Sequence, residues 1–143
     1  MSPTTHFFLS RAHRWPTQNF LVHHCSRDQF SKRCDDLARA VDRLSDINAQ
    51  DALILLRASF SVPMVQHLMR CLPSAGNVGL QTFDNLLRTA VGLITNSNMS
   101  DMQWLQASLP IRHGGLDVRR VTSLAIPAFM ASAVSTVSFE DHC

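Results

Sequence analysis

From Phe83 to Ile94 an apolar residue returns every three or four positions: Phe83, Leu86, Leu87, Ala90, Val91 and Ile94. That is the period of one helical face, and it constrains the chain more than any other feature. A second run has the same form. Leu37, Ala40, Val41, Leu44 and Ile47 share a face, while Asp35, Asp36, Arg39, Asp42, Arg43 and Asp46 point away from it. Nowhere does apolar and polar character alternate over the length of a strand, so the sequence predicts an all-α fold, an irregular bundle of five or six helices.

Punctuation divides the bundle. Ala52 to Leu56 is apolar on every side of a helix, which predicts the central, most buried element. Pro63 restarts the chain after Ser61 or Val62, and Val65, Leu68, Met69 and Leu72 form a stripe that Pro73 ends. Ser74-Ala75-Gly76-Asn77 reads as a turn, and Asn96-Ser97-Asn98 stops the Phe83–Ile94 helix. Ser100 and Gln103 have capping-box spacing for a short helix carrying Trp104 and Leu105, with Pro110 beyond it. Thr122 or Ser123 can cap a last helix running through Pro127 into Ala128, Phe129, Ala131 and Ala133.

Charge separates one end of the chain from the rest. Residues 1–33 hold Arg11, Arg14, Arg27, Lys32 and Arg33 against Asp28 alone, whereas residues 34–143 hold eight positive and ten negative side chains. The leading segment also has Pro3 and Pro16 and no sustained period, so it reads as a flexible basic arm, 1–33, ahead of a helical unit, 34–143. A net charge of +2 excludes a globally polybasic condenser of nucleic acid. Phe7-Phe8-Leu9 is too short for a secretory signal, and no window is read as a membrane span. The expected setting is intracellular, with no membrane partner and with Cys25, Cys34, Cys71 and Cys143 as free thiols.

Chemistry-bearing constellations are few. His23, His24, Cys25 and Cys34 suggest zinc by residue type, but structural sites pair ligands two to four residues apart on a tight turn, and Cys34 borders a helix. His67 and Cys71 stand at i and i+4 without a third ligand of matching spacing, which favours packing or surface placement. Cys34-Asp35-Asp36 has the paired aspartates of a two-metal polymerase centre. Two neighbours on a helix diverge by about 100°, however, and a helix-start role, with Asp35 also pairing with Arg39, accounts for them. No Gly-rich phosphate loop, nucleophile elbow or His-Glu-x-x-His motif occurs, and Glu140 is the sole glutamate. No catalytic residue, metal or cofactor is expected.

A series of phrases remains: Ala52-Leu53-Ile54-Leu55-Leu56-Arg57, His67-Leu68-Met69-Arg70, Phe83-Asp84, Ile94-Thr95-Asn96, Ser100-Asp101, Trp104-Leu105-Gln106-Ala107-Ser108-Leu109-Pro110, Gly114-Gly115-Leu116, and Ala125-Ile126-Pro127-Ala128-Phe129-Met130-Ala131-Ser132. In this order they resemble the region after the polymerase domain in reverse transcriptases of non-LTR (LINE-type) retrotransposons. The resemblance spans Arg33 to Phe139, and the leucine-proline to double-glycine stretch is its most specific part. It implies helical thumb and connection segments that help hold template and primer, here a truncated, non-catalytic remnant without the palm and its aromatic-x-Asp-Asp hairpin. Asp117 stands where that family usually has Gly, and Asp tolerates the left-handed backbone such a position implies better than most residues.

Arg112, His113, Arg119 and Arg120 flank the double glycine, and a flexible turn with guanidiniums beside it can follow a phosphate backbone. With Arg11, Arg14, Arg27, Lys32 and Arg33 they make the expected contacts of a second reading, a weak binding module for single-stranded or duplex nucleic acid. Trp104 reads as a core anchor ahead of a base-stacking platform, and Arg57 and Arg70 as partners of helix C-termini. Apolar surface on the helices at 52–60 and 124–137 is expected to remain uncovered and to drive self-association.

Overall fold

The computed structural model describes residues 15–140, with side-chain surroundings for residues 27–135. Among the described residues there are six α-helices and no strand. They are α1 (Trp15–Leu44), α2 (Ala49–Leu55), α3 (Val62–Cys71), α4 (Val78–Thr95), α5 (Asp101–Ala107) and α6 (Val121–Glu140). A π turn, Leu56–Phe60, continues α2, and a 3-10 turn, Ile111–His113, follows α5. The all-α irregular bundle is as the periodicity indicates.

The boundary between arm and helical unit falls inside α1. That helix buries Phe30, Cys34, Leu37, Val41 and Leu44, an alternation of four- and three-residue steps that keeps one stripe facing the core. Phe30 is fully buried, so residues 27–33 belong to the folded body and not to a flexible arm. Ile47 lies beyond the helix and is exposed. Asp35 and Asp36 are consequently mid-helix, away from any helix start. Asp36, not Asp35, takes the cations: Arg33 at 3.4 Å and Arg39 in a closer pair.

Helix α4 is the centre. It packs against α1, α2 and α6, and buries Leu80, Phe83, Asp84, Leu87, Ala90 and Val91. Its crossing with α1 is close because Gly79 has no side chain: a Cβ there would lie 2.7 Å from the Phe30 Cβ. Cys34 Sγ donates to the Gly79 carbonyl at 3.7 Å in the same contact. Asn77 caps α4 by accepting from Gly79 N–H at 2.8 Å, and Asn96 ends it in the left-handed conformation, φ 50°.

The expectation that α2 is the most buried helix fails. Ala52 and Leu56 face the core, but Ile54 is 52% exposed and Leu55 also faces outward. Continuous apolarity sets how much surface a helix can bury, and its neighbours set how much it does; the core side is already filled by α4 and α1. The stretch Ala49–Cys71, with mean hydropathy 1.3, is long and apolar enough to cross a membrane by length and composition alone, a test that the core helix of a soluble protein also passes. It is broken at Ser61 (φ −91°, ψ −123°), where Pro63 in the first turn starts α3.

Helix α6 runs through Pro127 and packs on α3 and α4 with its small residues, Ala125 and Ala128 among them. Ile126, Met130 and Val134, at steps of four, form an exposed stripe, 61%, 55% and 64% accessible.

Candidate functional site

The residues with the most specific sequence signal form one compact turn after α5. Ser100 and Gln103 make the reciprocal capping box: Gln103 N–H donates to Ser100 Oγ at 3.3 Å, and Ser100 N–H donates to Gln103 Oε1 at 2.9 Å. Trp104, 7% exposed, anchors α5 in the core and has no face free for stacking a base. The chain then reverses over Leu109 to Asp117. Gly115 N–H donates to Pro110 O (3.2 Å), Leu116 N–H to Ala107 O (2.9 Å) and Asp117 N–H to Leu109 O (2.9 Å).

The double glycine serves this closure. Gly114 is left-handed, φ 76°, and a Cβ on Gly115 would sit 1.9 Å from the Leu109 carbonyl oxygen. Gln106 Nε2 donates to both His113 O (3.1 Å) and Gly114 O (3.2 Å), bracing the turn from α5. The turn is therefore hydrogen-bonded from both sides. Asp117 has a left-handed backbone, φ 58°, and accepts from Arg119 Nε at 3.1 Å.

The turn also lies against α2. Gln50, Leu53, Ile54, Arg57, Ile111, Gly115 and Leu116 line a shallow groove of about 360 Å³. Two phrases almost sixty residues apart in sequence, Ala52–Arg57 and Gly114–Leu116, thus share one surface. Its floor is apolar, and Arg57 is its one ionisable lining residue, half-buried. A larger open groove of about 510 Å³ runs along Arg88, Thr89, Gly92, Leu93 and the Asn96–Met99 loop. Arg88 is already engaged there, donating to Asp101 Oδ1 at 2.6 Å and to the Met99 carbonyl.

Among the described residues the expected nucleic-acid contacts are dispersed. Arg11 and Arg14 lie outside the described residues. Arg27 and Lys32 are exposed on α1, but five helical residues turn through about 140° beyond a full circle, so they do not share a face. Arg33 pairs with Asp36 and Arg119 with Asp117. Arg120 is half-buried, and Arg112 is exposed with its Nε against His113 Nε2 at 3.2 Å.

The zinc candidates fall only partly within the described residues. His23, His24 and Cys25 lie outside the residues whose side-chain surroundings are described. Cys34 is buried in the α1–α4 contact; burial, with Asp35 adding to it, pushes its thiol above the ordinary value of 9.0 and away from a ligating thiolate. No group of three or more His, Cys, Asp or Glu side chains positioned to hold a metal occurs among the described residues.

The residue that local sequence reasoning misses is Asp84. It is 7% exposed, and its carboxylate accepts from Val121 N–H (2.7 Å), Thr122 N–H (3.2 Å) and Thr122 Oγ1–H (2.5 Å). The cap of α6 thus comes from α4, and neither Thr122 nor Ser123 is the cap. No protein family's sequence model, no curated protein and no solved structure matches this chain.

Proposed function

We propose that the chain is a helical remnant of the post-palm region of a non-LTR retrotransposon reverse transcriptase, working inside the cell without polymerase chemistry of its own. The observation that supports this reading most is where its phrases lie. Leu53, Ile54 and Arg57 of one phrase and Gly115 and Leu116 of another line a single groove, the Ala107 carbonyl accepts from Leu116 N–H in the braced turn, and Phe83-Asp84 joins core packing to the cap of α6. These are architectural positions, the kind a support for template and primer needs and an active site does not. Asp35 and Asp36 point to separate sides of α1, and Asp36 is taken up by Arg33 and Arg39, which is unlike a pair presented to two metal ions.

The test is replacement. A reverse transcriptase of this class, with its own post-palm segment exchanged for residues 15–140, retains template–primer binding if the relation holds. A folded chimera that has lost that binding, while the unaltered parent keeps it, removes the reading.

The second reading, a weak nucleic-acid-binding module, is favoured by the exposure of Arg27, Lys32 and Arg112. Three such cations release counterions from at most about three phosphates, a log–log salt slope near −2 on single strands. Being scattered, they support affinity in the micromolar range or weaker. Fluorescence anisotropy with a labelled oligonucleotide measures both quantities, and tight binding at high salt refutes this reading.

A further inference from the structure

The start of α6 joins a buried carboxylate to an exposed hydroxyl. Val121 N–H and Thr122 N–H donate to the Asp84 carboxylate at 2.7 and 3.2 Å, and the Thr122 hydroxyl adds a third bond at 2.5 Å. Thr122 is an exposed residue, whereas Asp84 is 7% exposed. Arg119 and Arg120 stand three and two positions before Thr122, and residues 116–120 lead into it outside any helix.

Two guanidiniums in irregular chain just ahead of a hydroxyl are what the acidic substrate cleft of a basophilic protein kinase pairs with. Ser123 fits less well. Both arginines are one position further from it, and its hydroxyl donates back to the Arg120 carbonyl at 2.8 Å.

We propose that Thr122 is a phosphorylation site for a basophilic kinase, and that its phosphate opposes the Asp84 cap and loosens α6. The kinase brings Mg²⁺-ATP. The Thr122 oxygen attacks the γ-phosphorus, its proton goes to the kinase's catalytic aspartate, and the bond to the β-phosphate oxygen breaks to release ADP. The hydroxyl is reached when the first turn of α6 opens, a local event that costs less than global unfolding. Afterwards the old contact cannot re-form, because a donor has become a group of about −1.5 to −2 charge beside a carboxylate. The helix N-terminus and the arginines favour the phosphate, and Asp84 opposes it. Burial decides between them: Arg119 is exposed and shared with Asp117, while Asp84 repels from the low-dielectric side. Loosening α6 uncovers the apolar residues that it packs on α3 and α4.

The site is independent of the reverse-transcriptase reading and is tested without it. The full chain is treated with the catalytic subunit of cyclic-AMP-dependent protein kinase and Mg²⁺-ATP, mass spectrometry locates the phosphate, and thermal midpoints are taken before and after. Asp84→Asn and the double variant Arg119→Gln, Arg120→Gln are treated alongside, with far-ultraviolet circular dichroism to check that each keeps its helices. The expected result is phosphate on Thr122, at an initial rate at least about tenfold lower in the double variant. The phosphate lowers the parent's midpoint by about 5 °C or more, and that of Asp84→Asn by about half as much or less. No incorporation, or phosphate on Ser123 in place of Thr122, overturns the proposal. So does a midpoint that phosphate on Thr122 leaves unchanged or raises, and so does an equal fall in Asp84→Asn, which removes Asp84 as the group the phosphate opposes.

Discussion

Asp84 Oδ1 accepts a hydrogen bond from the backbone N–H of Val121 across 37 positions of sequence, and so fixes where α6 begins relative to α4. Asp84→Ala leaves two helix-terminal N–H groups and the Thr122 hydroxyl without this partner, two of those contacts being charge-assisted backbone bonds. We expect a loss of about 2–4 kcal/mol in urea unfolding. Asp84→Asn keeps one acceptor but turns an NH₂ towards a donor, and falls between the two. A loss below about 0.5 kcal/mol for the alanine variant would show that α6 starts without this cap.

Phe30 tests the position of the fold's true edge. As a fully buried side chain against the Gly79 crossing, its change to Ala costs about 3–5 kcal/mol, whereas Lys32→Ala, exposed on the same helix, stays within about 0.5 kcal/mol. Equal, small effects would mean that residues up to 33 are an arm after all. Deleting residues 1–33 is therefore not a clean probe of the basic side chains, because it also removes a core residue.

What was legible in the sequence was what local chemistry decides. The 3.6-residue period of α4, the stop at Asn96, the restart at Pro63 and the Ser100–Gln103 box each depend on residues within one or two turns of each other. Asp84 carries no local signal of its role, since its partners at 121 and 122 are close in space alone. The exposure of Ile54 and Leu55 could not be read from an apolar run that lacks its neighbours. Phe30 and Cys34 do continue the stripe of Leu37, Val41 and Leu44 backwards, but basic charge and Pro16 drew the boundary too late. In the groove, the phrases themselves were visible and their meeting was not.

The braced turn predicts a contrast at neighbouring positions. Gly115→Ala drives a methyl group into the Leu109 carbonyl and costs about 3 kcal/mol or more, as backbone must move. Asp117→Gly relieves a left-handed residue at the loss of an exposed ion pair, and lies between neutral and about 1 kcal/mol stabilising. Asp117→Val, β-branched at φ 58°, destabilises by about 1–2 kcal/mol. Thermal midpoints of the three variants give the order.

Cys34 makes stability depend on alkaline pH. Its thiol is raised in the folded protein by burial and then by Asp35, so the contribution is fully present below 9.0, the unfolded value. It is lost as pH rises from there through the higher folded value, where the unfolded chain gains a thiolate that the core resists. Cys34→Ala flattens the fall of the thermal midpoint above pH 9.0; an unchanged slope in that variant would assign the fall to other groups.

The stripe Ile126, Met130 and Val134 leaves apolar surface on α6 open, and we expect concentration-dependent self-association. Sedimentation velocity on the parent and on the triple Ile126→Gln, Met130→Gln, Val134→Gln variant measures it. Association in the parent that persists unchanged in the triple variant places the interface elsewhere.

Primer extension tests most directly whether this unit is architectural and without polymerase chemistry, as proposed. The purified chain, supplied with Mg²⁺ or Mn²⁺, nucleotides and a primed RNA or DNA template, is predicted to add no nucleotide above the protein-free control. Template-dependent synthesis that disappears in Asp35→Asn or Asp36→Asn would contradict the account and make that pair a metal centre.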